Sequence, residues 1–401
     1  MVNVNGRFRR IVLVAICGLW GWVASGQVPH AIEQGSPLPS APPVAAAPPP
    51  ACTVQGPIGD WDAAAQLIAG SNNTAYADSF TDEQKQAWAE YSKTAALDWN
   101  RLKRRYVDRI SAWRAKNLPQ STAVESVFYP FSGPDATNPL AFFPDAREYV
   151  LVGLEPAGCV PNSTEAFTPE YWRTLHQAWQ SAVSVGFFKT LDMRRDLADS
   201  GAGGILPVLL FLIGRAGNRI VDVSQIGIDP TGSLVTFMDS EHVETRGFET
   251  KGVEIRFKDD RHGERTLRYF ASNLANYRMQ QKPGTVKFLD RLAPGGVVVK
   301  SASYLMHKRG FSQIRTIALA KANVLIEDDS GIPYSLVDQA VWDVTLFGNY
   351  DQPIDLFKDS AQDDLKAAYG ARDKVRPLDF AFSYKWRPGE SNLLLAIRHG
   401  K

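Results

Sequence analysis

Two stretches of the chain bring together side chains that could do chemistry. The first reads Phe128-Tyr129-Pro130-Phe131-Ser132-Gly133-Pro134-Asp135, with Glu155 following 22 residues after Gly133. The second joins Ser303-Tyr304-Leu305-Met306-His307 to Asp328-Asp329-Ser330-Gly331. Asp135, Glu155 and His307 are the candidate catalytic groups, because two carboxylates and an imidazole suffice for general acid–base work of a hydrolytic kind. Ser132 would be a nucleophile if His307 served as its base. Ser132, Gly133, Asn273, Tyr304 and Asp329 are the candidate ligand contacts. A plainer reading stands beside this one. Asp328-Asp329-Ser330-Gly331 is also good turn chemistry, and Ser132 could cap a short helix. Ser132 also lacks the flanking glycines of a nucleophile elbow, since Pro130 and Pro134 occupy those positions. Metal binding is not expected. The histidines at 30, 176, 242, 262, 307 and 399 are scattered, and no H-E-x-x-H or paired-cysteine motif occurs.

These side chains converge only if strand ends bring them together. Strand-like runs occupy 127–131, 149–154, 219–228, 253–258, 266–271, 297–301 and 324–326. The runs at 149–154 and 297–299 are continuously apolar, the pattern of parallel strands covered on both faces. Helical patterns alternate with them. Thr81 and Gln84 have capping-box spacing, and Trp88, Tyr91, Ala95, Trp99, Leu102, Tyr106, Ile110 and Trp113 repeat at three or four residues. Thr168-Pro169-Glu170 starts a second helix, and the apolar run 205–213 fits either a buried helix or a strand. Strands alternating with helices predict an α/β layered domain, with a β-hairpin insertion near 219–258 turning at Asp229-Pro230-Thr231-Gly232. Ligands of such sheets sit outside the carboxyl ends of the strands. Ser132 and Asp135, Glu155, Ser272 with Asn273 and Asn276, Tyr304 with His307, and Asp328 to Ser330 all follow strand-like runs.

The order glycine turn, strand, acid, and later Leu292-Ala293-Pro294-Gly295-Gly296 before a strand, resembles class I S-adenosylmethionine-dependent methyltransferases over about residues 125–330. That resemblance implies a Rossmann-like, mostly parallel sheet flanked by helices, with Glu155 where the family binds ribose hydroxyls. The turn has one glycine where the family has two or three, and Pro134 has no N–H to donate, so the resemblance bears on fold more than on methyl transfer. The strings from Phe128 to Asp135, Gly153-Leu154-Glu155-Pro156, Ser303 to His307 and Asp328-Asp329-Ser330-Gly331-Ile332-Pro333 also resemble a family of uncharacterised exported bacterial proteins, which implies no activity and no cofactor.

The N-terminal segment carries an address. Arg7, Arg9 and Arg10 precede an apolar run at 11–23 and a small-residue exit, Ala24-Ser25-Gly26, which predicts a signal peptide over 1–26 and a periplasmic or secreted destination. A Pro/Ala-rich spacer at 27–51, a helical region at 52–120 and an α/β core at 121–401 follow. Export leaves Cys52 and Cys159 as an even pair, which predicts one disulfide. The chain has 44 basic and 43 acidic residues, and loss of 1–26 would leave 41 against 43, a net −2. That balance argues against a nucleic-acid partner. The expected partner is a small ligand or a cell-envelope component. The run at 11–23 is short for a bilayer span, so none is expected after cleavage.

Overall fold

Alternation along the strands splits the apolar side chains into two cores, one on each face of a single sheet. In the computed structural model, residues 60–118, 124–185, 203–237 and 247–400 are described. Val127, Tyr129, Tyr149, Leu151, Val298, Leu393 and Leu395 face one core. Phe128, Val150, Val152, Val297, Val299 and Leu394, their immediate neighbours in the chain, face the other. Successive strand side chains point to opposite faces, so a strand that is apolar throughout must be covered twice. The described residues belong to one compact unit.

Among the described residues, ten α-helices supply the cover. On the first face lie α1 (Trp61–Ile68), α2 (Asp82–Leu102), α3 (Asp108–Asn117), α4 (Thr137–Phe142), α5 (Pro169–Val185) and α6 (Leu206–Arg215). The second face is covered by α7 (Asn276–Met279), α8 (Pro283–Arg291), α9 (Ser312–Lys321) and α10 (Asp363–Gly370). Thr81 caps α2 with the reciprocal bonds its spacing predicts: Gln84 N donates to Thr81 Oγ1, and Thr81 N donates to Gln84 Oε1. A five-residue π-turn, Lys103–Val107, joins α2 to α3. Thr168 accepts from Tyr171 N at the start of α5. The ambiguous run at 205–213 is helical, with every side chain from Leu206 to Ile213 buried. Trp113 of α3 packs edge-on against Phe142, Phe347 and Phe380, so the early helices share their core with the sheet.

The sheet has eleven strands: β1 (Ser126–Tyr129), β2 (Glu148–Gly153), β3 (Arg219–Ile228), β4 (Leu234–Phe237), β5 (Thr250–Lys258), β6 (Arg265–Ala271), β7 (Gly295–Val299), β8 (Ala322–Glu327), β9 (Trp342–Gly348), β10 (Val375–Arg376) and β11 (Asn392–Arg398). Their order is β10-β9-β11-β8-β7-β1-β2-β6-β5-β3-β4. The expectation of a mostly parallel, Rossmann-like sheet is overturned. Five of the ten pairings are antiparallel, and these carry most of the paired residues. The fold is mixed α/β. The physical reasons are specific. The region around 219–258 adds three antiparallel strands at one side, and β11 inserts antiparallel between β8 and β9 at the other. Continuous apolarity reports burial on both faces and says nothing of strand direction.

Parallel pairing is confined chiefly to the adjacent strands β6, β2, β1, β7 and β8. The chain moves outward from β1 through β2 to β6, then returns to the other side of β1 for β7 and β8. The chain therefore reverses direction across the sheet between β1 and β7, a switch point of the kind beside which ligands of open α/β sheets sit. No helix among the described residues is long and apolar enough to cross a membrane.

Candidate functional site

The loops leaving β1 and β7, the two strands on either side of that reversal, hold unusual backbone. Phe131 (φ +59°), Ser301 (+52°), Ser303 (+53°) and Tyr304 (+53°) are the left-handed non-glycine residues among those described, and Gly133 (+52°) joins them. Such conformations cost on the order of 1–3 kcal/mol each and gather where a loop is shaped for a purpose other than stability.

Glu155 lies against the β1 turn, just beyond β2. It is 1% exposed; its Oε2 accepts from Leu154 N at 3.0 Å and lies 3.2 Å from Tyr269 Oη, whose single proton has a nearer acceptor in Glu155 O at 2.8 Å. Its Oε1 is buried and has no hydrogen-bond partner among the described residues. Leaving a buried carboxylate oxygen without a donor is costly. Two glycines hold the surrounding backbone close. A Cβ on Gly153 would come within 2.5 Å of Tyr269 Oη, 2.7 Å of Glu155 Oε2 and 2.9 Å of Gly133 Cα. Leu154, beside the acid, is 49% exposed and presents an apolar side chain.

Ser132 stitches β1 to β2. Its N–H donates to Val152 O at 2.9 Å, and its Oγ lies 2.9 Å from Gly133 O and 3.2 Å from Val152 O. The hydroxyl thus has carbonyl acceptors and no base. Asp135 is likewise engaged: it accepts from Tyr129 Oη, Asn138 N and Asn138 Nδ2. Ser272 continues the ladder by donating N–H to Gly153 O at 2.8 Å. Asn273 makes a local turn, accepting from Ala275 N at 2.9 Å. Asn276 ties that turn to the start of α9 through Arg309 O, Ser312 Oγ and Gln313 N, while Phe311 meets Phe131 edge-on.

Tyr304, His307 and Asp329 form a second group beyond β7 and β8. Tyr304 Oη donates to Asp329 Oδ2, and Asn392 grips Asp329 through Nδ2 to Oδ1 and by accepting its backbone N–H, each at 2.8 Å. Asp328 accepts from Ser330 Oγ at 2.6 Å and from the backbone N–H groups of Ser330 and Ser301. Burial, and then the charge of Asp329, raise the Asp328 carboxyl to about 7. Burial also raises Asp329, and it lifts Glu327 well above the carboxylate range. His307 is pushed down to about 4 by burial and then by Arg315, and its Nε2 is buried with no hydrogen-bond partner among the described residues. A cavity of about 10 Å³, with room for one water, lies among Glu327, Asp328, Asp329, Tyr334, Gln362 and Asn392.

The structure therefore divides the predicted set. Ser132, Gly133 and Glu155 lie together at the carboxyl ends of β1 and β2, whereas Tyr304, His307 and Asp329 form their own group. No hydrogen bond links Asp135, Glu155 and His307 to one another among the described residues. Sequence reasoning passed over Lys300, which is 3% exposed and is held between the charges of Asp135 and Asp328; burial lowers its ammonium. The available signal was a lysine directly after the buried run 297–299. It also missed Tyr269, whose hydroxyl positions Glu155, and Asn392, which lies far along the chain. Cys159 is buried at 6% exposure, and Cys52 lies outside the described residues. Among the described residues no group of three or more His, Cys, Asp or Glu is arranged to hold a metal ion. Compared with known proteins, the chain matches no family model, no curated protein and no solved structure.

Proposed function

We propose that the chain binds a small, hydroxyl-bearing ligand beside Glu155, at the carboxyl ends of β1 and β2. The observation that carries this reading is the unsatisfied, buried Oε1 of Glu155. It asks for a donor, and a ligand hydroxyl supplies one without adding charge to the site. The bare backbone at Gly133, where a Cβ would meet only Glu155 Oε2 at 3.8 Å, lets a ligand approach closely, and Leu154 offers an apolar surface to its ring or chain. Leu154 N holds the other carboxylate oxygen and Tyr269 holds the Glu155 carbonyl beside it, and together they aim Oε1. Thermal-shift screening against nucleosides, S-adenosylmethionine and envelope sugars tests the reading. The expected hit raises the melting temperature, and the gain disappears in Glu155→Ala. A hit whose effect survives that substitution contradicts it.

In the same reading the protein works outside the cytoplasm. The basic, apolar and small-residue order of 1–26 supports export, and the even cysteine pair supports a Cys52–Cys159 disulfide. That bond would close a loop of roughly 107 residues and contribute about 2–4 kcal/mol.

A further inference from the structure

The long helical run that ends at Asn117 carries its cations unevenly. From Lys103 to Lys116 there are six basic residues and one acid, Asp108. Lys103 pairs with Asp108, and Arg114 pairs with Asp145 at 3.2 Å. Arg105, Arg109 and Lys116 form no ion pair among the described residues, and all three are exposed. Their spacings of four and seven residues return them to one flank of the helix.

That flank adjoins another cationic segment. Arg109 Nη1 donates to Asp379 O at 2.5 Å, and Arg376 Nη1 donates to Asn117 Oδ1 at 3.3 Å. Lys374 and Arg376 are exposed there, so five cations from two distant parts of the chain adjoin, against the acids Asp373 and Asp379. The helical part alone extends about 16 Å from Arg105 to Lys116. A single phosphate would reach at most a few of these groups, whereas an extended anionic surface meets them all. Guanidinium forks also suit phosphate oxygens. In a chain of nearly balanced charge, this local surplus is a property of one face.

We propose that this flank docks on a phosphate-bearing anionic lipid bilayer. The proposal is independent of the Glu155 site. Full-length protein is sedimented with phosphatidylcholine vesicles with and without about 30% phosphatidylglycerol, over a salt series. Wild type is expected to prefer the anionic vesicles, and salt should weaken the preference. Arg105→Glu with Lys116→Glu should weaken binding by roughly tenfold or more, and Arg105→Gln with Lys116→Gln by less. Lys251→Glu with Lys258→Glu, exposed positions on β5, should leave it unchanged. The proposal is overturned if wild type shows no preference for anionic vesicles. It also fails if the reversed flank binds as well as wild type, as it would if the arginines at 7–10 carried the binding, or if the β5 reversals weaken binding equally. Binding to soluble polyphosphate without binding to vesicles would assign the face to a polymer instead.

Discussion

Glu155 carries the functional reading at the scale of single residues, and its neighbour Gly153 is the sharpest structural test. Alanine there would place a methyl against Tyr269 Oη, Glu155 Oε2 and the Gly133 backbone. Gly153→Ala is expected to destabilise by about 1–3 kcal/mol in urea unfolding, because the contact with Gly133 is backbone and cannot swing away. The second group of residues predicts a pH signature. His307 is depressed to about 4 in the folded protein, from an ordinary 6.5. The unfolded chain therefore binds the extra proton between these values, and the stability owed to a neutral His307 is lost as pH falls through them. Relative to wild type, His307→Gln should gain on the order of 2 kcal/mol between pH 6.5 and pH 4. Asp328 has the opposite sign. Its folded value of about 7 exceeds the ordinary 3.8, so its contribution to stability falls as pH rises through that window. Asp328→Asn should then gain relative to wild type on going from pH 4 to pH 7. Urea midpoints measured at both ends separate the two effects, and parallel profiles for both variants and wild type would contradict them.

At the scale of elements, what could be read from sequence followed from what local chemistry specifies. Thr81 with Gln84, and Thr168 before Pro169, announced α2 and α5 because caps are contacts within a few residues. The turn at Asp229-Pro230-Thr231-Gly232 likewise falls between β3 and β4. Strand direction depends on which partner a strand finds, and β11 pairs with β8 across some 65 residues. No local pattern in Asn392–Arg398 encodes that choice, so the parallel expectation failed where the late strands return. The candidate site was legible only in part for the same reason. Strand ends could be recognised, and with them Glu155, but not the pairing that puts Tyr269 behind it and Asn392 behind Asp329. Two substitutions measure the local contributions. Thr81→Ala removes the capping box of α2 and should cost about 1 kcal/mol. Leu209→Ala, in the fully buried α6, should cost about 2–5 kcal/mol. Equal losses in chemical denaturation would contradict the view that α6 is core and the start of α2 is surface.

For the whole molecule, a near-neutral chain divides into regions of different character. The carboxyl ends of β1 and β2 hold one buried acid, the β7–β8 end is a closed carboxylate cluster, and the α3 flank is basic. Under the export reading, thiol titration of mature protein should find reactive thiols only after reduction and denaturation. Equal counts with and without reductant would remove the Cys52–Cys159 bond. The central claim, a hydroxyl-bearing ligand held by Glu155, is tested most directly by a crystal structure with the best thermal-shift hit. The account predicts a ligand hydroxyl within hydrogen-bond distance of Glu155 Oε1, over Gly133 and beside Leu154. A ligand seated elsewhere, with Glu155 Oε1 still lacking a donor, would contradict it.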